Sequence, residues 1–231
     1  MNRCQWSTLK KAPQQDAFPI YFILGTQQFP QLEKAAQIEN FLAVLTEACQ
    51  HGIRYFQFRD KDGSILTDKE RLDLAQKAQA ICQQYNVIFF INDEVEMAIQ
   101  LQADGLHIGQ TDPQAQKVRD LIGDNMLLGV SAHTVEQVQQ AIEDGADYVG
   151  CGPIFTTQSK VNVRPAIGPE LFSQLQAVNP DFPVFAIGGI HLDNVAQVQQ
   201  MNPDAICVIS EISASDDIEL AIQQLSHSQT F

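Results

Sequence analysis

Eight short apolar runs with helical periodicity between them constrain the fold of this chain more than any other feature. They are Tyr21–Leu24, Tyr55–Phe58, Val87–Ile91, Gly105–Ile108, Leu127–Val130, Tyr148–Gly150, Val184–Ile187 and Ala205–Ile209. All read as strands. In the intervening stretch RLDLAQKAQAICQQY, the apolar positions Leu74, Ala75, Ala78, Ile81, Cys82 and Tyr85 fall on one helical face. Before VEQVQQAI, Thr134 and Gln137 have the spacing of a capping box. Strands alternating with helices pair in parallel through right-handed crossovers.

A weak internal repeat adds to this. ADGLHIG, ADYVGCG and PDAICVI each place an aspartate (Asp104, Asp147, Asp204) just ahead of an apolar run. The first two lie 43 residues apart, room for two strand–helix units, and the next gap of 57 adds a longer loop. With 231 residues and no compositional break, the expected architecture is α/β, a single (β/α)8 TIM barrel over residues 19–231. Residues 1–18 read as a polar N-terminal lead-in. A doubly wound open sheet is the structural alternative.

The formal charge of −14 argues against nucleic acid as a main partner, because phosphate binding there needs a basic stripe. No apolar run approaches the roughly 18 residues of a membrane span, and the opening residues lack the apolar core of a secretory signal. Cytoplasmic localisation follows as the expectation. The five cysteines (Cys4, Cys49, Cys82, Cys151, Cys207) show no CxxC spacing and read as buried, reduced thiols, with a redox or zinc role as the lesser reading. A homo-oligomer is compatible with all of this.

Residues suited to chemistry fall just after the strand runs, at the rim where barrels of this type hold their active sites. Basic side chains are scarce, 14 against 28 acids, yet QFRDK places Arg59 and Lys61 two apart. Period-two geometry puts Gln57, Arg59 and Lys61 on one face and Phe56, Phe58 and Asp60 on the other. Asn92 and Asp93 follow the third run, GQTD the fourth, Ser131 the fifth, GPIFTTQSK the sixth and GGI the seventh; Ile209 and Ser210 end the eighth. Each has a structural alternative. Arg59 and Lys61 are able to form surface ion pairs, Asp93 to cap a helix and Asp112 to start one, while Ser131 and His133 suit a polar loop and the glycines a tight turn. Together, however, Asp93 and Asp112 offer hard carboxylate oxygens of the kind Mg²⁺ takes. Arg59, Lys61 and Lys160 would surround the same phosphate-bearing ligand. Gly188–Gly189 and the amides near Ser210 suit a second phosphate.

In this order and spacing, QFRDK, FFINDEVEMA, ADGLHIGQTD, LGVSAHT, ADYVGCGPIFTTQSK, AIGGI and VIS resemble the thiamine-phosphate synthase family along nearly the whole chain. The resemblance implies a transferase of thiamine biosynthesis with two phosphorylated small-molecule substrates and Mg²⁺. Such an enzyme joins a hydroxymethylpyrimidine diphosphate to a thiazole phosphate by dissociative substitution, giving thiamine phosphate and diphosphate. It carries over catalytic roles to Arg59, Lys61, Ser131 and Lys160, and metal binding to Asp93 and Asp112. Substrate contacts fall to Gln57, Phe58, Arg59, Asp60, Lys61, Asn92 and Ser131 on the pyrimidine side. Thr157, Gln158, Ser159 and Lys160 follow from the sixth-strand loop, and Gly189, Ile209 and Ser210 from the thiazole-phosphate side. Two departures stand out: Val161 and Asn162 follow Lys160 where the family often has Lys-Asp, and Glu94 replaces a frequent arginine. The rival readings are a thiazole tautomerase-like paralogue, for which His133 would matter, and a non-catalytic barrel that binds phosphorylated ligands.

Overall fold

The computed structural model describes residues 17–61, 63–156 and 165–227. Eight strands close into one parallel barrel in chain order. They are β1 (Ile20–Leu24), β2 (Tyr55–Phe58), β3 (Ile88–Asn92), β4 (Gly105–Ile108), β5 (Leu127–Ala132), β6 (Tyr148–Cys151), β7 (Val184–Ile187) and β8 (Ala205–Val208). Helices follow the strands, and β1 pairs with β8 to complete the ring. This is the (β/α)8 barrel that the strand–helix alternation requires. Of the lead-in, residues 1–16 lie outside the described residues. Ala17 bridges His227, and the Phe18 amide donates to the Ser226 carbonyl at 2.6 Å, so the first and last described segments meet.

Alternation along the strands sorts the side chains. Tyr21, Tyr55, Phe90, Tyr148 and Phe185 point inward and fill the barrel with aromatic rings, Tyr148 stacking on Phe185 at 4.4 Å between centroids. Phe22, Phe56, Phe58 and Phe89 belong instead to the larger cluster between the barrel and its helices, where Phe41 meets Phe56 and Phe58 edge-on. Complete burial of one such ring stabilises by about 1.5–3 kcal/mol. The inner rings need space from neighbouring strands. A Cβ at Gly129, opposite Tyr148 in the β5–β6 register, would lie 2.2 Å from Cζ of that ring.

The helix Asp68–Tyr85 buries Leu74, Ala75, Ala78 and Cys82, with Ile81 and Tyr85 partly buried, as its periodicity predicts. Thr67 and Glu70 cap it reciprocally, and Asn86 ends it in the left-handed region at φ 58°. At Thr134 the box is only half formed. Its hydroxyl accepts from the Gln137 amide at 3.3 Å, but the Gln137 side chain takes the His133 amide instead.

The aspartate repeat has a structural cause. Asp104 accepts from the Phe89 amide at 2.9 Å, Asp147 from Leu128 at 2.8 Å and Asp204 from Val184 at 2.9 Å. Each stands at the foot of an even-numbered strand and satisfies a backbone donor on the odd-numbered strand before it. At the equivalent place before β2 stands Arg54, whose Nε donates to the Tyr55 hydroxyl. Cys49, Cys82, Cys151 and Cys207 are buried thiols outside any disulfide, as expected; Cys4 lies outside the described residues. No helix among the described residues is long and apolar enough to cross a membrane.

Candidate active site

The C-terminal mouth of the barrel opens into a cavity of about 370 Å³. From β2, Gln57, Arg59 and Lys61 line one wall, as alternate residues of one strand and its extension must. Asn92 and Asp93 enter from β3, Asp112 from the loop after β4, Ser131 from β5 and Ile209 from the end of β8. Asn92 and Ser131 are themselves the polar ends of strands rather than loop residues. The Asn92 Nδ2 donor is buried without a hydrogen-bond partner among the described residues, so a ligand group is what it can satisfy.

Asp93 sits at φ 62°, its amide tied to the His107 carbonyl at 2.8 Å. It does not cap the next helix, whose N-cap is Glu94. Its carboxylate instead accepts from the Lys61 ammonium. Burial opposes charge on Asp93, but that ammonium and a hydrogen bond from Asp112 outweigh it and hold the carboxyl below the usual range. Burial, then the hydrogen bond and like charge of Asp93, push Asp112 the other way, although the Gly109 amide donates to it at 2.6 Å. The two carboxyls are therefore coupled, with the charged form favoured on Asp93 and the protonated form on Asp112. Nor does Asp112 start a helix, since the next one begins at Ala115.

Phe58 and Asp60 stand apart from this group. Phe58 points outward into the helix-facing core. Asp60 is 2% exposed, its Oδ1 accepting from the Thr26 amide (2.7 Å) and hydroxyl (2.6 Å) and its Oδ2 from Ser64 at 2.5 Å. As period two requires, Asp60 braces the loops after β1 and β2 while its neighbours face the cavity. Glu94 pairs with Arg71. His133 binds the Gly152 carbonyl through Nδ1.

Gly189 and Ser210 occupy the neighbouring rim. Gly189 has φ 67°, and a Cβ there would lie 2.6 Å from the Phe155 carbonyl oxygen, so this turn needs glycine. Glu211, beside Ser210, bridges the two loops by accepting from the Leu192 amide at 3.0 Å and meeting His191 Nδ1 at 2.6 Å. Thr157, Gln158, Ser159 and Lys160 lie outside the described residues.

Tyr21, His107 and Tyr148 are among the lining residues absent from the sequence-based set. All are strand residues on the inward face, legible only once strand parity is fixed.

Cations, paired carboxyls and an unsatisfied amide around one cavity at the C-terminal mouth define the class: a (β/α)8-barrel enzyme. The family described as thiamine monophosphate synthase matches residues 20–212. The chain is 42% identical over 207 residues to a thiamine-phosphate synthase of Geobacillus thermodenitrificans, covering 90% of each chain. It is 40% identical over 210 residues to one of Actinobacillus succinogenes, covering 90% of this chain and 95% of the other. A thiamine phosphate pyrophosphorylase structure from Pyrococcus furiosus superposes with a TM-score of 0.76 at 27% identity, covering 90% and 93%. This chain belongs to the thiamine monophosphate synthase family, whose activity is that of a transferase.

Proposed function

We propose that the protein couples a hydroxymethylpyrimidine diphosphate to a thiazole phosphate, releasing diphosphate and thiamine phosphate. The observation that carries this reading is the convergence of Gln57, Arg59, Lys61, Asn92, Asp93, Asp112 and Ser131 on a single cavity. Its volume, about 370 Å³, suits a small phosphorylated ring.

The donor set fits Mg²⁺. Asp93 and Asp112 supply hard oxygens, and among the described residues no larger cluster of His, Cys, Asp and Glu competes for a different metal. When bound, Mg²⁺ supplies positive charge to the diphosphate. The chain's own part is electrostatic and positional. Lys61 neutralises Asp93 in the free site and turns to the diphosphate when substrate enters. Arg59 faces the same oxygens, and the family resemblance assigns Lys160 to them, so charge growing on the leaving group meets preorganised cations. Gln57, Asn92 and Ser131 hold the pyrimidine. As the methylene–oxygen bond breaks, its electron pair leaves with the diphosphate, and the electron-rich aminopyrimidine carries the resulting cation. The thiazole nitrogen, anchored through its phosphate near Gly189, Ile209 and Ser210, then forms the new carbon–nitrogen bond. The family resemblance assigns Thr157, Gln158 and Ser159 to the same ligand. No side-chain nucleophile takes part. The cytoplasm is the proposed place of work.

A tautomerase has no use for the carboxyl pair with its attendant lysine, and His133 is occupied by a backbone carbonyl outside the cavity wall. The test is a coupled assay with both phosphorylated precursors, with and without Mg²⁺. Diphosphate release that requires both precursors and the cation is expected; binding of both without release would leave a ligand-binding barrel.

A further inference from the structure

Beneath the cavity a file of hydrogen bonds crosses the barrel from β2 to β5. Gln57 Nε2 donates to the Tyr21 hydroxyl at 2.9 Å, and the Tyr21 and Tyr148 hydroxyls meet at 2.9 Å. The Tyr148 hydroxyl meets His107 Nδ1 at 3.0 Å, and His107 Nε2 meets Ser131 Oγ at 3.0 Å. Burial raises both phenol pKa values far above the ordinary range, so the two hydroxyls stay neutral and each can accept one bond while donating another. Gln57 and both tyrosines are at most 3% exposed. Glycines make the room: a Cβ at Gly150 would crowd the His107 ring at 3.3 Å, and one at Gly129 would collide with Tyr148.

Such a file has one direction. With the Gln57 amide donating and the imidazole neutral, the arrangement that leaves no buried hydroxyl hydrogen idle has Tyr21 donating to Tyr148 and Tyr148 to Nδ1 of His107. The imidazole then carries its proton on Nε2 and donates to Ser131, whose own hydrogen is left for the cavity. At the other end Gln57 presents Oε1 as an acceptor. Reversing the Gln57 amide would reverse every bond and leave Ser131 with lone pairs alone.

We propose that Tyr21, Tyr148 and His107 form a positioning relay that couples Gln57 to Ser131, so that the site reads a donor at one end of its ligand and an acceptor at the other as a single pattern. The ligand class this selects is an aromatic amine with a neighbouring acceptor, and an oxo-substituted ring is rejected at both ends together. The inference rests on the pyrimidine reading of the cavity and gives it a means of discrimination. Removing one hydroxyl breaks the coupling but leaves the rings packed. Coupled networks of this kind show themselves in non-additivity.

The test measures Kd for the 4-amino pyrimidine diphosphate and for its 4-oxo analogue in the parent, Tyr148→Phe and Tyr21→Phe proteins. Preference for the amine is expected to fall by about tenfold or more in both variants, roughly the worth of one buried hydrogen bond. Adding Ser131→Ala to Tyr148→Phe should cost less than Ser131→Ala alone. A preference unchanged in both variants, in proteins that still bind the amine, overturns the relay while leaving the site assignment intact. A parent that binds neither compound overturns both. In the unmutated protein, nitrogen-15 correlation spectra of His107 should show the Nε2–H tautomer, and the Nδ1–H form would overturn the stated direction.

Discussion

Asp60 lies between two cavity residues yet serves a different end, and the difference comes from strand parity. Its carboxylate gathers three short hydrogen bonds from Thr26 and Ser64, with Arg71 Nε 3.7 Å away. Replacing it with alanine leaves the Thr26 amide and the Ser64 hydroxyl without this acceptor and takes one carboxylate away from Arg71, which keeps Glu94. Asp60→Ala is expected to lose about 3 kcal/mol of stability, the usual result of breaking a buried charged cluster from one side. It should also weaken diphosphate binding, because the loop it braces carries Arg59 and Lys61. Urea unfolding alongside substrate titration checks both, and an unchanged midpoint would show that the brace is dispensable. Glu70 makes a residue-scale prediction in pH. The Thr67 amide, then Lys34 Nζ at 2.9 Å and the Thr67 hydroxyl, pull its pKa down from 4.5 to about 2. A depressed carboxyl stabilises the folded state fully above its unfolded pKa and loses that contribution as pH falls through the folded one. The melting-temperature gap between the parent and Glu70→Ala should therefore be widest above pH 4.5 and narrow as pH falls towards 2. A gap constant across that window would mean that the charge contributes nothing.

Among the elements, the aspartates at the feet of β4, β6 and β8 join neighbouring strands where the barrel is furthest from its site. Asp204→Ala strips the Val184 amide of its acceptor and is expected to cost about 1–3 kcal/mol. The loss should be local, with hydrogen exchange faster at Val184 and little changed at Phe89, which Asp104 still serves. Uniformly faster exchange would argue against paired-strand units. These same aspartates were visible in the sequence as a repeat, and the eight strands as apolar runs, because burial on both faces leaves little polar interruption. The runs stop short at Asn92 and Ser131, where the ladder continues through polar residues that serve the cavity and hydrophobicity no longer marks the strand. Gln57, Arg59 and Lys61 were readable through the same parity that sends Phe58 and Asp60 outward, so including those two in the substrate set ran against that pattern. Tyr21, His107 and Tyr148 were not readable, because an aromatic inside a strand run looks like core. The nearest signal was the small inward residues beside them, Gly129 and Gly150, whose purpose is plain only when the register is known.

For the whole molecule, the proposed reaction asks a chain of net charge −14 to gather an anion and a divalent cation at one end of a barrel. The mouth resolves this by holding its acids half neutralised: Lys61 sits on Asp93, and Asp112 keeps a raised pKa beside it. A cation bound between the two carboxyls has to displace any proton held by Asp112, as metal binding to protonated ligands does. Magnesium titrated into the protein with inorganic diphosphate present should therefore release protons. Apparent affinity should weaken as pH falls towards the ordinary carboxylate range, because the raised pKa of Asp112 returns its proton before an ordinary carboxylate would take one. Asp112→Asn keeps the hydrogen bond to Asp93 but has no proton to lose, so proton release should disappear and affinity should fall, with little pH dependence left over that range. Isothermal titration in two buffers of different ionisation enthalpy counts the protons directly. Equal counts in the parent and Asp112→Asn proteins would place the metal elsewhere, and the carboxyl pair would then be a structural link between the loops after β3 and β4.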